Sequence, residues 1–170
     1  MAGGAGGDGR YLAGVGAKHT RRSVERSLRD MKTDVLDIVL IHSDGEDLKI
    51  LEQTDCLSTL ISLRDAGLIR AIGMSTKTVA GGLRAVELLD VVMATYNPSY
   101  TEDAPVIEAA AKSGKGVLIK KALNSGHDAL GATTSAGDAL RAALGLTGVS
   151  AAIVGTINPA HLRDNAAAAS

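Results

Sequence analysis

Five short runs of aliphatic and β-branched residues recur along these 170 residues, each followed by a helix-like stretch, and no other feature constrains the fold as strongly. The runs are Val35–Ile41, Leu68–Met74, Asp90–Tyr96, Gly116–Lys121 and Val149–Gly155. Nearly unbroken apolar runs of this length are expected of strands covered on both faces. Their ends, at His42, Ser75, Asn97, Lys121 and Thr156, fall roughly 22–35 residues apart, the spacing of βα units. With one helix ahead of the first run, the pattern is α then (βα)5, an α/β fold built on parallel strands. A closed (β/α)8 barrel needs roughly 250 residues. Periodicity alone therefore leaves two architectures open, a partial TIM barrel and a flavodoxin-like open sheet.

The first helix is expected to start near His19 and Thr20, capped by Thr20 or Ser23, with Val24, Leu28 and Met31 on one apolar stripe. The acidic stretch Asp44-Gly45-Glu46-Asp47 reads as a loop. A helix over 54–66 follows, with Leu57, Leu60, Ile61 and Leu63 inward and Gly67 as its stop. The next, over 79–88, is weakened by Gly81-Gly82. Further helices are expected over 103–113 and 136–144, and a last one opens at Asn158-Pro159, a cap residue followed by proline at the first helical position. Residues 1–18, mostly Gly and Ala, bury too little apolar surface to offset backbone ordering. They read as a flexible leader to one domain over 19–170.

Charge and composition remove several classes of function. A net charge of −1 lacks the basic footprint that nucleic-acid binding requires. No apolar run approaches the roughly 18–20 residues of a membrane span, and the N-terminus has neither the basic nor the apolar part of a signal peptide. A single Cys56 cannot form an internal disulfide, which fits a reducing cytoplasm, and no Cys/His cluster has zinc spacing. With three Tyr and no Phe or Trp, the core is built from aliphatic side chains, and a modest stability margin is expected.

Longer strings narrow the choice of fold. Ser23 to His42, containing Ser27-Leu28 and Thr33-Asp34-Val35-Leu36-Asp37, closely resembles the helix 3–strand 4 segment of aldo-keto reductases. Ala66-Gly67-Leu68-Ile69-Arg70-Ala71-Ile72-Gly73-Met74-Ser75 is similar to that family's strand 5. Tyr96-Asn97-Pro98, Val154-Gly155-Thr156 and His161-Leu162 with Asn165 continue the resemblance in order, over residues 19–165. The resemblance implies a partial TIM barrel running from helix 3 to helix 8.

It also implies reduction of aldehydes and ketones by hydride transfer from NADPH, the reduced form of NADP, with NAD as the other cofactor, through an Asp, Tyr, Lys and His tetrad. Of the four, His42 alone has a counterpart here, at a strand's C-terminal end, where barrel enzymes place chemistry. The other three belong to the region of strands 2 and 3, which lies outside this resemblance. Tyr11 and Lys18 stand in or beside the glycine-rich leader and are poor substitutes. On the cofactor side, Ser75 matches the serine that contacts the nicotinamide carboxamide, and Thr76 stands where many members have Asn. Lys120 replaces the ring that stacks on nicotinamide, and Lys120 with Lys121 could hold phosphates. Gly155, Thr156 and Asn158 lie at a helix N-terminus, where amide groups and the helix dipole favour anions. His161, with Arg163 nearby, takes the place of the basic residue that grips the 2′-phosphate, and Asn165 matches the asparagine that holds adenine.

The reading that results is an aldo-keto reductase-like chain, weak or inactive alone, with a small carbonyl compound as substrate if active. The alternative is a non-catalytic half-barrel that assembles with itself or a complementary partner through open strand edges. A phosphate-binding enzyme of another reaction class rests only on the helix start at Asn158. Plainer roles compete at single positions. A lone histidine is more often structural, Cys56 at a helix start could be activated or a small buried filler, and Gly73 and Gly155 could admit a cofactor or only tighten packing.

Overall fold

Residues 16–124 and 135–169 are described by the computed structural model of this chain. Seven helices and five strands alternate among them: α1 (Ala17–Met31), β1 (Leu36–His42), α2 (Asp47–Gln53), α3 (Cys56–Asp65), β2 (Ile69–Ser75), α4 (Val79–Leu88), β3 (Val91–Thr95), α5 (Ala104–Lys112), β4 (Gly116–Lys120), α6 (Ala136–Leu144), β5 (Val149–Ala152) and α7 (Pro159–Ala168). Every strand pair is parallel, and the order across the sheet is β1-β2-β3-β4-β5. That unreversed order decides between the two architectures left open by periodicity. A flavodoxin-like sheet doubles back on its first strand, whereas a TIM barrel adds each strand beside the last. The chain is an arc of such a barrel.

Several element bounds differ from expectation, for local reasons. Helix α1 begins at Ala17 with Gly16 as its N-cap, so Thr20 and Ser23 lie inside it. Thr20 is buried and donates its hydroxyl to Cys56 Sγ at 3.5 Å, which ties α1 to the start of α3. Of the expected leader, residues 1–15, Tyr11 among them, fall outside the described residues, while Ala17 and Lys18 already belong to α1. The acidic stretch leads directly into α2, which starts at Asp47. Ile61 and Met31, expected inward, are exposed. So are Asp37 and Ile38 on β1, which among the described residues has a neighbour on one side only; Ile38 is 46% exposed. Asp37 pairs instead with Arg70 on β2 at 2.6 Å. Strand β5 is short and stops at Ala152, and α7 buries none of its residues.

The core lies between the sheet and its helices. Leu60 and Leu63 of α3, Ile72 and Met74 of β2, Val92 of β3, Val106 of α5, and Val117 and Ile119 of β4 are fully buried. Each such aliphatic side chain contributes about 1.5–3 kcal/mol on burial. The glycines of α4 serve this packing. A Cβ on Gly82 would lie 2.6 Å from the Val106 side chain, and one on Gly81 would collide with Asp47. Two residues that lower helix propensity by about 1 kcal/mol each are what let α4 close on α2 and α5, and the helix runs its full expected length.

Candidate functional site

The C-terminal ends of the strands carry the residues picked out from the sequence, and the fold divides them between two places. On one side of the end of β4, His42 pairs in register with Ser75, and Ser75 with Met93. Ser75 and Thr76 are buried; His42 is exposed. Lys120, the last residue of β4, reaches across β3 and donates from Nζ to Ser75 Oγ at 3.0 Å and to the Thr76 carbonyl. Ser75 accepts this bond and keeps its own hydroxyl proton to offer elsewhere. Burial pulls the Lys120 ammonium below the usual lysine range; Asp103 and Asp47 oppose the shift, while Lys121 and Lys77 add to it.

On the other side, Lys121, Gly155, Thr156, His161, Asp164 and Asn165 line a groove of about 500 Å³, closed by Ala122, Leu123, Ala136, Ile153 and Val154. Asn158 stands at its head as the N-cap of α7, its Oδ1 accepting from the Ala160 amide at 2.9 Å, with Pro159 at the first helical position. Thr156 Oγ1 accepts from the Asn158 amide at 3.1 Å. Open space surrounds the position of a Cβ on Gly155, whereas one on Gly73 would sit against Leu40 and Val91. Gly73 therefore serves packing, and Gly155 faces the groove. Neighbours in sequence, Lys120 and Lys121 part company: Lys121 leaves the strand with φ +56 and is exposed.

Three polar residues hold this arrangement and were not singled out from the sequence. Asn97, 1% exposed, donates from Nδ2 to the Lys121 carbonyl at 3.0 Å and so fixes the turn at which the two lysines diverge. Asp103, buried, accepts from the Thr95 amide at 2.8 Å and ties the start of α5 back to the end of β3. Asp47, 2% exposed, accepts from the Lys77 and Thr78 amides and from the Thr78 hydroxyl, at 3.0, 2.8 and 2.7 Å. It anchors the loop that follows Ser75 and Thr76. Asn97 lies inside a string already matched to the family. Asp47 sits in an acidic run with nothing to mark it off from its solvated neighbours. Cys56 is buried, and burial raises its thiol above the ordinary range, so it is a filler and not an activated nucleophile.

With this geometry in hand, comparison with known proteins is decisive. The family model described as the aldo/keto reductase family matches residues 6–135. The chain belongs to the aldo/keto reductase family. No curated protein matches the sequence. Among solved structures, a Pseudomonas aeruginosa protein assigned to the aldo-keto reductases is 50% identical, with a TM-score of 0.82 over 91% of this chain and 60% of its own. An aldo-keto reductase from Bacillus halodurans, solved without and with ligand (apo and holo forms), superposes with a TM-score of 0.76 at 16% and 17% identity, covering 91% of this chain. At that identity the likeness is one of fold. The reductase-like chain thus spans about three-fifths of the length of the solved relatives it matches. Among the described residues, no helix is long and apolar enough to cross a membrane.

Proposed function

We propose that this aldo-keto reductase chain binds NADPH, with NADH as the weaker alternative, and contributes the cofactor side of a carbonyl reductase site. The observation that supports it is the groove at the start of α7. Its lining combines an exposed lysine, a glycine with open space before it, a hydroxyl and an asparagine. Amide groups and the dipole of α7 favour phosphate there, and Lys121 adds a positive charge. His161 and Asn165, one turn apart on α7, suit the adenosine end. Ser75 has a hydroxyl proton free for a carboxamide oxygen while it accepts from Lys120. The bound cofactor supplies hydride to a small aldehyde or ketone. In this reading His42, which pairs in register with Ser75, orients the carbonyl oxygen. On the resemblance, these 170 residues carry no counterpart of the family's Asp, Tyr and Lys, so we infer weak or absent turnover from this chain alone. The lone, buried Cys56 accords with a cytoplasmic setting.

Titration followed by the cofactor's own emission is expected to saturate with NADPH. Asn165→Ala and His161→Ala are each expected to weaken binding by about 2- to 10-fold, the worth of one hydrogen bond at about 0.5–1.5 kcal/mol. A signal that rises linearly with no saturation contradicts the cofactor reading. Aldehyde reduction at ordinary enzyme rates, about 1–10³ s⁻¹, would overturn the inference of an impaired catalyst.

The assembly reading draws on a separate observation. Among the described residues β1 and β5 each pair on one side only, and Ile38 stands exposed on β1 and Ile153 directly after β5. Unpaired edges with apolar side chains are templates for further strands. Sedimentation over a range of concentrations is expected to show self-association; a monomer throughout, with edge amides that exchange freely, removes this alternative.

A further inference from the structure

The amine of Lys120 has surroundings unlike those of a surface lysine. Its side chain is half-buried at the C-terminal end of the sheet, and among the described residues both of its hydrogen bonds go to neutral oxygens, Ser75 Oγ and the Thr76 carbonyl. Among the described residues no carboxylate forms an ion pair with it, although Arg26, Arg64, Arg70, Arg84, Lys112 and Arg141 each have one. The nearest acids are otherwise engaged: Asp103 accepts from the Thr95 amide, and Asp47 from the loop over Lys77 and Thr78. Two acceptors satisfy the two N–H groups of a neutral amine and leave its lone pair unused, whereas an ammonium would need a third acceptor.

We propose that Lys120 is a nucleophilic amine that condenses reversibly with small aldehydes at the end of β4. In this step the Nζ lone pair attacks the carbonyl carbon and forms a C–N bond. The carbonyl oxygen takes up one of the two amine protons to give a carbinolamine. Loss of that hydroxyl with a second proton, as water, leaves the imine, and water regenerates lysine and aldehyde. No oxidant or reductant is consumed. The direction of the Lys120 shift agrees: desolvation favours the uncharged amine, which alone is nucleophilic. Asp103, Asp47, Lys121 and Lys77 are the charged groups that act on it, and their effects oppose one another in pairs. Ser75 Oγ, bonded to Nζ, is placed to pass protons between the amine and the departing hydroxyl. The inference needs an aldehyde to reach the end of β4 but no hydride donor, so it stands apart from the cofactor reading.

The test is reductive trapping on the whole chain without dinucleotide. The protein is incubated at neutral pH with propionaldehyde and cyanoborohydride, and the rate at each lysine is read by peptide mass mapping. Lys120 is expected to gain the propyl group several-fold faster than Lys121, Lys18 and Lys112, which are exposed. Lys120→Arg is expected to lose that fast site while the remaining lysines keep their rates. Labelling of Lys120 at or below the rate of Lys121 overturns the proposal. Because the rates compare lysines within one folded wild-type chain, the outcome does not depend on how the variant folds.

Discussion

Replacing Asp47 by alanine is expected to cost about 3 kcal/mol or more of stability, since hydrogen bonds to a charged acceptor contribute about 1.5–3 kcal/mol each and this carboxylate accepts three. Loss of the acceptor strands the amides of Lys77 and Thr78. It also frees the Thr78 hydroxyl, which caps α4 by accepting from the Gly81 amide at 3.0 Å. The damage should therefore spread from the loop into the helix. Urea denaturation checks it: the midpoint should fall while the slope stays constant, as for a change in stability without a change in exposed surface. Asp47→Asn keeps one acceptor oxygen and should fall between the two. If Asp47→Ala unfolds within about 0.5 kcal/mol of the parent, the range of an ordinary surface change, the anchoring role is wrong.

The second large effect is expected at Gly73. A Cβ there would lie 2.5 Å from the Val91 carbonyl oxygen and 2.6 Å from Leu40 Cδ2. The carbonyl belongs to the backbone of the adjacent strand and cannot swing aside. Gly73→Val should therefore exceed the about 1–3 kcal/mol usual for overpacking a core, enough to leave a chain without Phe or Trp mostly unfolded. Gly155→Ala is the matching control. Nothing lies within 4 Å of the added atom, so thermal stability should hold, while NADPH binding weakens if phosphate approaches there. Equal melting temperatures for Gly73→Val and the parent would mean that β2 and β3 are packed more loosely than described.

The positions of the strands and most helices were legible because their signals are local. Runs such as Val117-Leu118-Ile119 announce a buried strand wherever it is placed, and Asn158-Pro159 caps α7 in the expected manner. What escaped depends on partners far along the chain. Ile61 has the right spacing to face inward but sits on a side of α3 that is left 36% exposed among the described residues. Gly81 and Gly82 count against a helix when only α4 is considered, and favour it once Asp47 and Val106 are seen against them. The site divides in the same way. His42, Ser75 and Asn165 stand in strings that mark them, whereas the roles of Asp47 and Asp103 lie in backbone amides that no pattern of side chains reveals. Nor does a doubled lysine disclose that its two members part at Asn97.

The unreversed strand order has a bearing on how this chain folds and frays. Among the described residues each strand pairs only with strands one unit away in sequence, at separations from 18 residues (Ser75 to Met93) to 33 (His42 to Ser75). Contacts of such even, limited range resemble those of a repeat protein, in which stability is passed between neighbouring units and opening starts at the ends. The terminal unit here is the least secured, since β5 is short and α7 buries nothing. Its amides should exchange at low opening free energy while those of β2 and β3 stay protected. The groove proposed for the dinucleotide lies largely on that labile unit, so a cofactor bound there would act as a cap that holds it closed.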